Sequence, residues 1–173
     1  MTPLQSSEKP LPESVIKSLW ISWARIGHQP RMRMMTGSMR PLIQAGDELH
    51  IELQPKVIQL GDILIYRHRG QFIAHRLVDI RQSSEGEQFI LKGDATPRFD
   101  APLPRERIIG RVTYVEGVLG GTDYNTRRWQ RLNGWVARFS KSNQLYSFTQ
   151  RYAKPVITSI FAIIICLRRL NGH

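Results

Sequence analysis

The chain has 173 residues, 41% of them hydrophobic, and a formal net charge of +11, enough for one domain with a substantial core and appendages. Its single cysteine, Cys166, excludes an internal disulfide framework and a cysteine-based zinc site. With no H-E-x-x-H pair and no glycine-rich phosphate loop, neither a metal nor a nucleotide cofactor is implied, and the expected cofactor set is none.

In chain order, residues 11–26 read as a helix. Pro12 suits its first turn, and Val15, Ile16, Leu19, Trp20, Trp23 and Ile26 recur at helical spacing. From residue 31 the pattern changes to short strands, expected at 31–36, 48–53, 62–67, 71–81, 88–92 and 108–116. Turn signals bound them at Ala45-Gly46-Asp47, Arg69-Gly70, Ser84-Glu85-Gly86 and Gly93-Asp94. In the fourth strand, alternation places Ile73, His75, Leu77 and Asp79 on one face. Pro97, Pro102 and Pro104 mark residues 95–106 as a loop. Gly117-Val118-Leu119-Gly120-Gly121 reads as a linker. A second helix is expected at 127–139, with Trp129, Leu132, Trp135, Val136 and Phe139 along one side. Both tryptophan-bearing helices are expected to face the core, in preference to a membrane. Strands without intervening helices predict a mainly β fold. The expected organisation is an N-terminal helix at 1–30, a β core at 31–116, and a linker with a basic helical extension at 117–173.

Charge follows the same division. Residues 1–41 hold six basic side chains against two acidic, 42–122 ten against eleven, and 123–173 nine against one. Basic ends around a nearly neutral centre suit an anionic membrane surface or nucleic acid. A spanning helix needs about 20 mostly apolar residues. The first helix is shorter and carries Lys17 and Arg25, and the uncharged run at 155–167 is thirteen residues long. That run reads as a helix packed on the core in preference to one lying on a bilayer. No secretory signal pattern opens the chain. The expected location is cytoplasmic or peripheral to a membrane.

The chemistry concentrates in Ser38-Met39-Arg40-Pro41, followed by Gly46-Asp47 and later by His75-Arg76. A serine hydroxyl is nearly inert unless a neighbouring base takes its proton, and histidine is the usual base near neutral pH. Each residue alone has an ordinary reading: Ser38 as a turn serine beside Gly37, His75 as a strand histidine, Asp94 and Asp100 as turn formers. Their order along the chain outweighs that reading.

Residues 36–47, Thr36-Gly37-Ser38-Met39-Arg40-Pro41-Leu42-Ile43-Gln44-Ala45-Gly46-Asp47, resemble the nucleophile box of the signal peptidase I superfamily. Gly61-Asp62-Ile63-Leu64-Ile65-Tyr66, Ile73-Ala74-His75-Arg76-Leu77-Val78 and Lys92-Gly93-Asp94-Ala95-Thr96 resemble the three blocks that follow it, in the family's order. The likeness covers roughly residues 31–116. It implies a signal-peptidase- and LexA-like β core. Histidine in the base block resembles the archaeal and endoplasmic-reticulum branch, where bacterial leader peptidases and self-cleaving repressors carry lysine. The chain departs from that branch in showing no spanning helix ahead of the nucleophile.

The resemblance implies a serine endopeptidase that removes a leader or signal segment, with Ser38 as nucleophile and His75 as general base. Asp94 and Asp100 stand as candidates for the carboxylate that supports His75. The resemblance favours Asp100, with Asp94 holding the turn, and the sequence leaves the choice open. Oxyanion stabilisation falls to the backbone N–H of Ser38 and, by resemblance, to the Thr36 hydroxyl. The implied partner is a protein or peptide bearing a leader, with peripheral contact to an anionic membrane. Nucleic acid is not an expected partner, because only one convincing helix precedes the strands and a helix-turn-helix needs two. The rival readings are a self-cleaving regulator and an inactive membrane-surface protein of the same fold.

Overall fold

The computed structural model describes residues 12–117 and 120–145. Helix α1 (Glu13–Arg25) precedes strands β1 (Arg31–Arg33), β2 (Glu48–Leu53), β3 (Ile63–His68), β4 (Gln71–Ser83) and β5 (Gly86–Lys92). Then come β6 (Leu103–Pro104), a 3-10 turn (Arg105–Arg107), β7 (Ile108–Glu116), β8 (Thr122–Asp123) and helix α2 (Arg127–Leu145). The strands form one antiparallel sheet in the order β1-β2-β7-β3-β4-β5-β6, with β8 on β7. The mainly β architecture is the one the strand spacing predicts.

Local chemistry sets the hairpins. His68 pairs with Gln71 across Arg69-Gly70, and both turn residues have positive φ, +49° and +81°. That conformation matches the right-handed twist of the strands it joins. Two short strands escape the sequence reading. β6 contains Pro104 and pairs only with β5, an edge position where a missing N–H costs little. β8 is two residues long and too short to show periodicity.

The sheet buries both faces. Along β3, Ile63 and Ile65 join Met39, Leu42, Ile43, Ala74 and Ile109 in one cluster. Leu64 and Tyr66 point the other way, into a second cluster with Leu77, Phe89, Leu91 and Ile108. This explains why β3 reads as an unbroken apolar run. Each buried aliphatic side chain contributes about 1.5–3 kcal/mol. Gly61, at φ +97°, is where the backbone of α2 comes closest: a side chain there would meet the Asn133 carbonyl at 2.5 Å.

Helix α2 is longer than its periodicity predicts, and it packs on β4 and β5 through Ala137, against Val78 and Ile90. A bulge between Leu77 and Asp79 corrects the expected face of Asp79. The extra residue breaks the alternation, and Asp79 leaves the His75 row to pair with Lys141 of α2 at 2.8 Å. Lys92, also buried, donates to Ser140 of α2 at 2.9 Å, and burial pulls its pKa down. The tryptophans divide in two. Trp20 stacks on Phe72 and Trp129 on Tyr124, whereas Trp23 and Trp135 are about half exposed. The helices, expected to face the core, do so on one side only: Val15, Leu19 and Trp23 form an exposed apolar stripe on α1, continued by Ile26 just past its end. The run at 155–167 lies outside the described residues.

Candidate functional site

Ser38 sits in the turn that follows β1. Buried Met39, Leu42 and Ile43 anchor that turn from below, leaving Ser38 half-buried above them. The backbone closes it through Arg40 N–H donating to Gly37 O at 3.1 Å and Ile43 N–H to Met39 O at 3.1 Å. Thr36 reaches over the serine from the side. Its hydroxyl donates to Ser38 Oγ at 3.2 Å and accepts a long contact, 3.5 Å, from Ser38 N–H.

The loop after β5 is tied directly to this turn, since Ala95 N–H donates to Ser38 O at 2.8 Å. Gly93 is the point of close approach. A Cβ there would lie 2.8 Å from Ser38 O and 3.0 Å from His75 Nε2, so only glycine leaves the serine turn and the imidazole adjacent.

His75 is buried on β4, opposite Leu64 of β3. Its Nδ1 stands 2.6 Å from Asp100 Oδ2. The carboxylate accepts, so Nδ1 carries the proton and the neutral ring keeps Nε2 as acceptor, on the side of Gly93 and Ser38. Asp100 is held in turn by its own N–H, which donates to Leu91 O at 2.8 Å. A third group completes the row. Tyr66, buried on β3, meets the His75 ring edge-on, with centroids 6.3 Å apart. Burial, and then the Asp100 charge and hydrogen bond, push the phenol's pKa up, so it stays a donor.

Asp94 is placed elsewhere. Arg76, the residue after His75, points to the opposite face and grips Asp94 through two bonds, Nε to Oδ1 at 2.8 Å and Nη2 to Oδ2 at 2.6 Å. Its Nη1 donates to Gly61 O at 3.0 Å and to Asn133 Oδ1 of α2 at 2.8 Å. Burial disfavours the Arg76 charge, but the charge and hydrogen bonds of Asp94 more than offset this and raise its pKa. Of the two aspartates, then, Asp100 touches the histidine and Asp94 locks the turn to the β4 arginine. The two aspartates thus meet opposite faces of β4. Strand alternation is the physical reason, since neighbouring His75 and Arg76 must face opposite sides.

Sequence reasoning missed Tyr66, Arg76 and Asn133 as members of this assembly. The first two stand inside the quoted blocks, where register with their partners was invisible. Asn133 lies in α2, and nothing in a polar helix residue announces a partner 57 positions away. A group able to hold a cation, Glu48, His50 and Glu116, has its ligand atoms within 4.8 Å of one another. It lies on β2 and β7, separated from β4 by β3, and Arg31 already pairs with Glu48 at 2.9 Å.

No family model matches the chain. Similar proteins are nonetheless found among yeasts. The signal peptidase complex catalytic subunit SEC11 of Debaryomyces hansenii is 31% identical over 117 residues, 62% of this chain and 70% of the relative. The subunit of the same name from Scheffersomyces stipitis is 30% identical over 87 residues, 46% of this chain and 52% of the relative. That of Lodderomyces elongisporus is 24% identical over 143 residues, covering 78% and 82%. Taken with the mainly β fold and the four ordered blocks, these relatives show that the chain belongs to the signal peptidase I superfamily of peptidases, on its archaeal and endoplasmic-reticulum side.

Proposed function

We propose that the protein is a serine endopeptidase that removes a leader or signal segment from a protein or peptide, using Ser38, His75 and Asp100. The observation that carries this reading is the His75–Asp100 contact at 2.6 Å, with the other imidazole nitrogen facing the Ser38 turn across Gly93. In the proposed reaction, Nε2 takes the Ser38 proton as Oγ bonds to the scissile carbonyl carbon. Asp100 keeps the imidazole in the right tautomer and stabilises the imidazolium. The oxyanion is met by Ser38 N–H and by the Thr36 hydroxyl, which rotates from Ser38 Oγ. A donor of this kind contributes about 3 kcal/mol. The imidazolium then protonates the leaving amine as the C–N bond breaks, and water releases the acyl group from Ser38 by the same route. Asp94 and Arg76 act on structure in this scheme, by holding the turn that presents Asp100.

A fluorophosphonate probe tests the nucleophile. Wild-type protein is expected to be labelled once, at Ser38, and to cleave a leader peptide ending in small residues. Ser38→Ala should lose both properties. Labelling without any leader cleavage would retain the chemistry and discard the substrate class.

The exposed stripe on α1 supports work at a membrane surface. No helix among the described residues is long and apolar enough to cross a membrane. Val15, Leu19, Trp23 and Ile26 nonetheless offer an apolar face, beside exposed Arg25. Interfacial binding of this kind combines buried apolar area with attraction to anionic lipid. Flotation with vesicles containing anionic lipid is expected to carry the wild-type protein, and Leu19→Ser with Trp23→Ser to abolish it. Equal flotation of both proteins would remove α1 from the contact.

A further inference from the structure

The geometry points to Asn133 of α2 as a positioning residue for the reaction proposed above, an inference that rests on the peptidase reading. Asn133 fixes the Arg76 guanidinium, and through Asp94 it fixes the loop that meets the Ser38 turn. Helix α2 crosses the β4–β5 pair with one face. Asn133, Ala137, Ser140 and Lys141 recur on that face at helical spacing. Asn133 Oδ1 accepts from Arg76 Nη1 at 2.8 Å, and Ala137 packs with Val78 and Ile90. Ser140 accepts from Lys92 at 2.9 Å, and Lys141 pairs with Asp79 at 2.8 Å. Arg76 and Lys92 stand directly opposite each other, one residue after His75 and one before Gly93. The helix therefore grips both strands immediately beside the proposed site.

What distinguishes Asn133 is what its partner holds. Arg76 places Nε and Nη2 on Asp94, and divides Nη1 between Gly61 O at 3.0 Å and Asn133. A guanidinium is a rigid planar fork, so the acceptors at Nη1 set the plane in which the Asp94 carboxylate is held. Ala95, the next residue, donates its N–H to Ser38 O at 2.8 Å, and the same loop runs on to Asp100. The contact is closely seated. Asn133 is 4% exposed, and a Cβ on Gly61 would lie 2.4 Å from its carbonyl carbon. Arg76 and Asn133 lie on the side of β4 away from His75, so neither touches a reacting atom. Loss of the Asn133 acceptor lets the fork tilt and the loop shift. Misplacing a reacting group by about 1 Å can cost about 100-fold in rate.

The test measures fluorophosphonate labelling of Ser38 and leader-peptide cleavage in the full chain, with kcat referred to labelled sites so that unfolded molecules drop out. Asn133→Leu is similar in size but has no acceptor. It is expected to lower kcat and the labelling rate about tenfold and to leave KM within about twofold. Asn133→Asp keeps an oxygen in the same place and should hold both rates within about threefold of wild type. Lys141→Ala frees the same helix from the same strand at Asp79 without touching Arg76, and should be labelled at the wild-type rate. A melting curve accompanies each variant, and should Asn133→Leu not fold, Asn133→Ala is read in its place. Wild-type rates in Asn133→Leu, or Asn133→Asp as slow as Asn133→Leu, overturn the inference. Equal slowing in Lys141→Ala also overturns it, by assigning the effect to helix docking as a whole. Absence of any Ser38 labelling in wild type sinks the peptidase reading itself, whereas labelling indifferent to residue 133 sinks only this inference.

Discussion

Asp100→Asn is expected to lower the rate of leader cleavage by about four orders of magnitude, equivalent to about 5 kcal/mol of barrier. The substitution keeps the size of the side chain and its place on the Leu91 carbonyl. What changes is the group facing Nδ1 at 2.6 Å. An amide that turns its NH2 toward the ring forces the proton onto Nε2, the nitrogen that has to accept from Ser38. An amide that turns its oxygen instead keeps the tautomer but carries no charge to stabilise the imidazolium. Steady-state cleavage and probe labelling, each alongside a melting curve, separate these effects from unfolding. A loss below tenfold at unchanged melting temperature would falsify the role given to Asp100.

The second large effect is on stability. Arg76 is 0% exposed, and both oxygens of Asp94 are committed to it. Asp94→Ala leaves a buried guanidinium with only the Gly61 carbonyl and the Asn133 amide oxygen for partners. Breaking one side of a buried pair costs about 3–5 kcal/mol, a large share of the roughly 5–15 kcal/mol that holds a domain folded. Replacing both partners at once, with Arg76→Met and Asp94→Leu, should cost much less, because no uncompensated charge remains. Urea denaturation of the three proteins measures the difference. If Asp94→Ala costs less than about 1 kcal/mol, the pair does not carry the turn.

These two experiments also divide the aspartates by kind of effect. Asp100 is expected to change rate far more than stability, and Asp94 the reverse. Their side chains leave one loop in opposite directions, one toward the histidine and one toward the arginine beside it.

Much of this was legible in the chain alone. Strand–turn spacing from residue 31 determined the mainly β class, because period-two patterning and glycine turns are local properties. Four ordered blocks singled out Thr36, Ser38, His75 and Asp94, with Asp100 six residues further on, and with them the superfamily. Hydrophobic spacing also located both helices, although it placed the α1 stripe inward, where the structure leaves it exposed. Periodicity reports that a helix has an apolar side and says nothing of what covers it.

The rest was decided by tertiary contact. Which aspartate reaches His75 depends on how the loop from Gly93 to Asp100 folds against the Ser38 turn, a matter of Ala95 N–H and Leu91 O. The commitment of Asp94 depends on Arg76 facing the opposite side of β4, and on α2 arriving with Asn133. The bulge at Leu77–Asp79 moved one acid out of the histidine's row and onto Lys141. Tyr66 entered the assembly only because β3 and β4 pair in the register that sets it diagonally from His75. Register, bulges and the meeting of distant segments arise from long-range packing, and no local pattern encodes them.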